Sequence, residues 1–263
     1  MELGIEGRVA LITGASKGIG KAIAMSLAKA GVRPCLLSRS EGGLSKAISD
    51  IESEAGIKTL SFVGDVADVD FAKHVVMSIL EKYSQLDILV NNCEGPPMGT
   101  FLEHDAIVWK EAYEKNLYSV INYTSLVVPA MKDNNWGRVI NVTSFLAKEP
   151  TPPMVLSATM RAGVSAFSKA ISIELAEKGI TVNTICPSAV LTDRMVNLTN
   201  VAAEREGKTY EQILANAQAT IPVKRFSTPE EIGDFAAFLA SNRAGYITGV
   251  SHLIDGGLSK SIF

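Results

Sequence analysis

The residues best suited to chemistry stand near the start of the chain, in the run Thr13-Gly14-Ala15-Ser16-Lys17-Gly18-Ile19-Gly20. The run leaves an apolar, β-rich stretch and opens a helical one. At such a junction, glycines permit a tight turn, close approach of backbone to a pyrophosphate, and close packing of helix on strand. The helix N-terminus then offers free N–H groups and a positive dipole end to phosphate. The plainer reading is a glycine turn that serves the fold alone. The place at the first strand–helix junction favours a dinucleotide site, with Gly14, Ser16, Lys17, Gly18, Ile19 and Gly20 around the phosphates. Farther on, Leu37-Ser38-Arg39-Ser40 closes the second apolar run. NAD binders usually carry Asp or Glu there, accepting from ribose hydroxyls. Here Ser38 and Arg39 stand instead, no carboxylate opposes Arg39, and Lys17 adds a second cation. Each alone reads as a solvated surface charge. Together, with the acid missing, they point to the 2′-phosphate of NADP(H).

Such groups need a scaffold that gathers several strand ends. Short apolar runs at 8–13, 33–38, 58–63, 87–91, 138–143, 181–186 and 252–254 are expected to be strands. Their near-continuous apolarity fits parallel strands buried on both faces. Gly31 and Gly179 follow helical stretches at the position where a left-handed residue ends a helix. Thr228-Pro229-Glu230-Glu231 reads as a capping box with proline at the first helical position, opening a helix to Ala240. Strands alternating with helices imply right-handed βαβ units. The expectation is one α/β domain over 1–263, a doubly wound, parallel, seven-stranded sheet of Rossmann type. The stretch 192–223 departs from the alternation, with helical sequence and no strand. It mixes Met195, Val196, Leu198, Ile213 and Leu214 with polar residues, and it reads as a lid-like insertion over a site.

Composition removes other classes. The chain has 263 residues and a formal net charge of −3, with no basic run and sparse aromatics, so no nucleic-acid partner is expected. No apolar stretch approaches the ~20 residues of a membrane span. Acidic Glu2 and Glu6 do not fit a signal peptide, and a cytoplasmic protein is expected. Cys35, Cys93 and Cys186 suit neither a disulfide framework nor a zinc site. Three scattered histidines, His74, His104 and His252, make no metal cluster.

The glycine spacing is G-x-x-x-G-x-G, preceded by threonine. Asp65-Val66 follows the third expected strand and Asn91-Asn92-Cys93-Glu94-Gly95 the fourth. Asn116 and Ser144 come next, then Pro187-Ser188-Ala189-Val190-Leu191-Thr192 and Ile254-Asp255-Gly256-Gly257. In this order, over nearly the whole chain, these elements resemble the short-chain dehydrogenase/reductase family. The resemblance implies that Asp65 and Val66 meet the adenine and that Asn91 belongs to the family's Asn-Asn-Ala-Gly element at the cofactor. It places Pro187, Val190 and Thr192 beside the nicotinamide. It gives Ser144 the role of binding the substrate oxygen, and Asn116 that of ordering a water-linked proton route. It also implies a homotetramer built through two long helices, around 112–132 and 157–178.

One part of the pattern is missing. The family's proton donor is a tyrosine, its pKa lowered by a lysine four residues later that also holds the nicotinamide ribose. Anchoring on Arg161-Ala162-Gly163-Val164 places Ser157 and Arg161 at those positions, and the distance from Ser144 agrees. A slip of one residue would place Leu156 and Met160 there. Tyr83, Tyr113, Tyr118, Tyr123, Tyr210 and Tyr246 all lie elsewhere, none with lysine four residues on. Ser157 and Arg161 share a helix face. A serine hydroxyl is a far weaker acid than a phenol, and arginine neither deprotonates nor substitutes for lysine where geometry matters. Arg161 could donate to ribose hydroxyls or hold an anionic substrate; the plainer reading is a small residue and a salt-bridged cation.

Smaller departures lie close by. Cys93 and Glu94 replace small residues, and Ser188 replaces a glycine. Glu94 reads as an acid–base group or, more simply, a loop charge. Cys93 lacks a histidine partner for nucleophilic work, and Lys148 lies four residues past Ser144. Three readings follow: an NADP(H)-dependent oxidoreductase acting on a small-molecule carbonyl/alcohol pair; a catalytically weak or inactive NADP-binding protein with a regulatory or assembly role; and another reaction on the same scaffold.

Overall fold

The computed structural model describes residues 2–261. Its sheet has seven parallel strands: β1 (Val9–Thr13), β2 (Arg33–Ser38), β3 (Leu60–Val63), β4 (Ile88–Asn91), β5 (Gly137–Val142), β6 (Ile180–Pro187) and β7 (Ser251–Ile254). The order is β3-β2-β1-β4-β5-β6-β7. The chain therefore winds outward from β1, returns, and starts again at β4 on β1's other side. That reversal opens a crevice beyond the carboxyl ends of β1 and β4, where ligands bind in such sheets. The expected Rossmann architecture is the observed one. Edge strand β3 is shorter than expected, and it lacks the full burial that makes β1 apolar throughout.

Helices cover both faces, which is why the central strands are apolar on both. Helices α1 (Gly18–Lys29), α2 (Glu41–Ala55) and α9 (Pro229–Ala240) pack on one face around Ile12, Ile23, Leu27, Ile140 and Ile232. Helices α3 (Val69–Tyr83), α5 (Ser119–Asp133) and α6 (Val155–Leu175) cover the other around Leu11, Ile79, Leu89, Val127 and Val182. Gly31 has φ 80°, ending α1, and Gly179 has φ 66°, ending the last turn after α6. The capping box at Thr228 is formed in both directions, with Pro229 opening α9.

Two features bear directly on the site. Helix α4 (Ala106–Tyr113) joins α5 through a π turn, Glu114–Tyr118, with Asn116 buried in it. The wider turn frees a carbonyl from the helical ladder: Lys115 O accepts from Ser119 Oγ at 2.6 Å and from Cys93 Sγ at 3.4 Å. The stretch between β6 and α9 forms two helices, α7 (Asp193–Glu206) and α8 (Tyr210–Thr220), and no strand. Its stems are pinned by Leu191 N to Ser227 O at 2.8 Å, Ser227 N to Ala189 O at 3.0 Å, and Val223 N to Gly256 O at 3.3 Å. Among the described residues, no helix is long and apolar enough to cross a membrane.

Candidate active site

The cradle at the end of β1 is made by its glycines. Gly14 and Gly18 have φ 59° and 54°, in the left-handed region that disfavours a side chain. A Cβ on Gly20 would stand 2.3 Å from Gly14 O, so α1 lies against the turn as only glycine allows. Asn92, the residue directly after β4, locks the turn. Asn92 Nδ2 donates to Gly14 O at 3.1 Å, and Asn92 N donates to Thr13 Oγ1 at 2.9 Å. The N-terminus of α1 has no side-chain cap and no acid in its first turn. Its free N–H groups and positive dipole end are left for an anion, and the cradle fits a pyrophosphate.

At the end of β2, Ser38 Oγ donates to Ser16 Oγ at 2.9 Å, tying this strand to the glycine turn. Arg39 lies beside them, but the expectation that no carboxylate opposes it is wrong. Glu94 Oε2 stands 3.3 Å from Arg39 Nη2, and Asp65 Oδ2 stands 3.8 Å from Arg39 Nη1. Parallel strands β2, β1 and β4 end side by side, so loops far apart in sequence face each other above them. Asp65 also accepts from Ala67 N at 3.0 Å, while Val66 packs against the α3 side of the core. Lys17 approaches Asp193 at 4.0 Å across the cleft.

Glu94 is held from a second side, by Arg194 of α7 at 3.5 Å. Arg194 Nη1 donates to Gly95 O at 3.0 Å as well, so the start of α7 grips the loop after β4. Thr192 caps α7, accepting from Met195 N, and its methyl lies 3.2 Å from where a Gly18 Cβ would be. Pro187 ends β6, and buried Val190 bridges to Ser227. Neither Asp193 nor Arg194 was legible in the sequence, because their partners lie across the cleft.

Beyond the glycine turn, Ser144 follows β5 in an extended conformation, half-buried, its Oγ accepting from Leu146 N at 3.3 Å. Asn116, 1% exposed, donates to Glu94 O at 2.8 Å and contacts Cys93 Sγ at 3.1 Å. The π turn thereby fixes the loop after β4. Asn91 turns into the core instead, donating to Asn141 Oδ1 at 2.8 Å and Thr124 Oγ1 at 3.3 Å. Strand alternation decides between neighbours here, and Asn92 is the one on the glycine turn.

Helix α6 enters with Leu156 and Met160 packed on Ala112 of α4. Arg161, one residue on, reaches the strand ends: Nη1 donates to Val142 O at 2.7 Å and Nη2 to Cys93 O at 3.2 Å. The salt-bridge expected of it in the plainer reading is not formed; both acceptors are neutral carbonyls. Ser157 is buried one turn earlier on the same helix. Of the tyrosines, Tyr123 on α5 is buried in the core that α5 shares with α3, Tyr113 and Tyr118 have tilted rings with centroids 5.8 Å apart, and Tyr246 is exposed. Burial pushes the Cys35 thiol up to about 12 and raises Cys186 too, so both remain protonated and inert.

The chain matches known proteins over its whole fold. A family model described as enoyl-(acyl carrier protein) reductase matches residues 14–259. A 3-oxoacyl-acyl-carrier-protein reductase of Thermotoga maritima is 34% identical over 254 residues, covering 97% of this chain and 98% of that one. The NADPH-dependent reductase BacG of Bacillus subtilis is 33% identical over 258 residues, covering 97% and 99%. The crystal structure of L-sorbose reductase from Gluconobacter frateurii, complexed with NADPH and L-sorbose, superposes with a TM-score of 0.96 at 31% identity, with all of both chains covered. On the cradle, the strand order and these matches together, the chain belongs to the short-chain dehydrogenase/reductase family.

Proposed function

We propose that this protein is an NADP(H)-dependent oxidoreductase acting on a small-molecule carbonyl/alcohol pair, with Ser157 and Arg161 at the positions of the family's tyrosine and lysine. The cofactor is NADP(H), as it is in the similar NADPH-dependent reductase and the NADPH-bound sorbose reductase. The observation that carries the reading is that the open α1 N-terminus and Ser144 both lie at the carboxyl ends of the parallel strands, where Asn116 holds the loop after β4. Gly14, Ser16, Gly18, Ile19 and Gly20 would cradle the pyrophosphate. Ser38, Arg39 and Lys17 would face the 2′-phosphate, Asp65 and Val66 the adenine. Pro187, Val190 and Thr192 would border the nicotinamide.

Bound NADPH supplies the hydride, which is cofactor chemistry. The chain's own residues do the rest. Ser144 donates to the substrate oxygen. Asn116 fixes the loop that borders the site. Arg161 donates to the nicotinamide ribose from a position set by two carbonyls. Ser157 cannot deliver a proton as a phenol does, so the proton reaches the product oxygen slowly. Losing a general acid costs typically ~10²–10⁴-fold, which slows turnover without abolishing it. The test is NADPH oxidation with a panel of ketones. The second reading, a weak or inactive NADP-binding protein, is favoured by the absent phenol; it requires binding with no oxidation above background.

The segment 192–223 acts in this reading as a lid, gripped at its start through Asp193 and Arg194. A cytoplasmic location is part of the same proposal. So is a homotetramer: α5 and α6 leave a groove lined by Ile121, Val128, Pro129, Phe167 and Ile171, which a second copy would cover. Light scattering is expected to give a tetramer. A monomer at every concentration would contradict the assembly.

A further inference from the structure

One carboxylate in the cleft is shared by two cations that reach it from different sides. Glu94, on the loop after β4, places Oε2 3.3 Å from Arg39 Nη2 at the end of β2. Its other oxygen, Oε1, stands 3.5 Å from Arg194 Nη1 at the start of α7. The main chain of Glu94 is held apart from both cations. Its carbonyl accepts from Asn116 Nδ2 at 2.8 Å, and Asn116 is buried in the π turn. The Glu94 side chain is 64% exposed. The backbone is therefore fixed from below, while the carboxylate has room to change partners.

The two cations are held differently. Arg194 is anchored without Glu94, since Nη1 donates to Gly95 O at 3.0 Å and Nη2 to Pro96 O at 3.5 Å. Arg39 is 60% exposed at the cleft mouth, and its second acid, Asp65, stands at 3.8 Å. Glu94 thus joins a mobile cation on the adenine side to a fixed one on the lid. The other link between these sides is weaker. Lys17 and Asp193 are 4.0 Å apart and 69% and 73% exposed, at the limit of an ion pair. A phosphate that draws Lys17 away takes little from α7.

We propose that Glu94 is a positioning residue that couples recognition of the 2′-phosphate to the grip on the lid. This rests on the reading of Arg39 as the phosphate's partner. A phosphate dianion takes the guanidinium with charge-assisted bonds stronger than an exposed ion pair, and it repels the Glu94 carboxylate. Glu94 then passes to Arg194 alone, and the start of α7 is held more firmly to the loop after β4. Part of the pairing lost at Arg39 returns at the lid. NADH brings no charge to Arg39, so Glu94 stays shared. A ligand shifts such an equilibrium only by a difference in what it meets in the two states. Here that difference is one phosphate, and Glu94 stands between it and the lid.

Adenosine 2′,5′-bisphosphate and adenosine 5′-monophosphate test this without turnover. Both lack the nicotinamide, and they differ in the 2′-phosphate alone. Amide hydrogen exchange in α7, followed with each nucleotide at saturation, reads local opening of the lid. The bisphosphate is expected to slow that exchange about two- to fivefold relative to the monophosphate, the scale of one exposed ion pair. Glu94→Gln is expected to erase the difference while the bisphosphate still binds, and Arg194→Gln to erase it as well. Equal exchange with the two nucleotides in the wild type would overturn the proposal, and so would a difference that survives Glu94→Gln. The reading of Arg39 fails separately, in the affinities: a bisphosphate that binds no tighter than the monophosphate overturns that reading and the coupling with it.

Discussion

Replacing both residues, Ser157→Tyr with Arg161→Lys, is expected to raise NADPH-driven reduction of neutral ketones by about 10²-fold or more, the scale of a general acid. Ser157 is buried on the face of α6 that carries Arg161 to the strand ends, so a phenol placed there starts in the right layer of the site. A phenol with an unperturbed pKa of about 10 releases its proton far more readily than a serine hydroxyl. A lysine ammonium in place of the guanidinium, which is tied to two carbonyls, brings a compact charge close to the phenol and lowers that pKa. The single change Ser157→Tyr is expected to give less, because the guanidinium stays tied to Val142 O and Cys93 O. The comparison is of initial rates for wild type, both singles and the double. Wild-type rates already matching the double, and lost in Ser157→Ala, would show that Ser157 itself had taken over proton donation.

NADPH is expected to bind at least tenfold tighter than NADH, with the preference residing in Arg39. The argument is one of charge: a phosphate dianion against Arg39 and Lys17, both exposed at the mouth of the cleft. Glu94 and Asp65 temper it, since each faces the same guanidinium. Exposed pairs of this kind are worth ~0.2–1 kcal/mol, less than a charge-assisted bond to phosphate. Arg39 is therefore expected to exchange Glu94 for the phosphate on binding. Arg39→Ala should bring the two affinities together, and Glu94→Gln should tighten NADPH by roughly two- to fivefold without changing NADH. Fluorescence titration reads all three. Equal affinities in the wild type, or an Arg39→Ala protein that keeps its preference, would rule out the assignment.

Much of this architecture was legible because parallel strands buried on both faces are written as unbroken apolar runs. The stops were legible as well, since Gly31, Gly179 and the Thr228 capping box each act through local backbone chemistry. What could not be read was set across the sheet. Glu94 and Arg39 are 55 residues apart, and only the side-by-side ends of β2, β1 and β4 bring them together. Asn91 and Asn92 are chemically identical, and the pleat decides which one meets the glycine turn. The π turn at Asn116 is equally silent, because nothing in Glu114–Tyr118 differs from ordinary helical sequence. The Arg161 register left two possibilities open. Leu156 and Met160 pack on α4 while Arg161 reaches the strand ends, which is the arrangement that the proposed register needs.

The proposal at the centre is that this chain moves hydride from NADPH to a carbonyl with Ser157 at the position of the family's phenol. The direct measurement follows NADPH consumption by the purified wild-type protein with a panel of neutral ketones and oxo acids, quantifying the alcohol formed. The account predicts one alcohol per NADP⁺, at a rate above the protein-free control and raised by the double change at 157 and 161. Tight NADPH binding with no alcohol from any carbonyl in the panel would contradict it, and would leave a protein that binds the cofactor without using it.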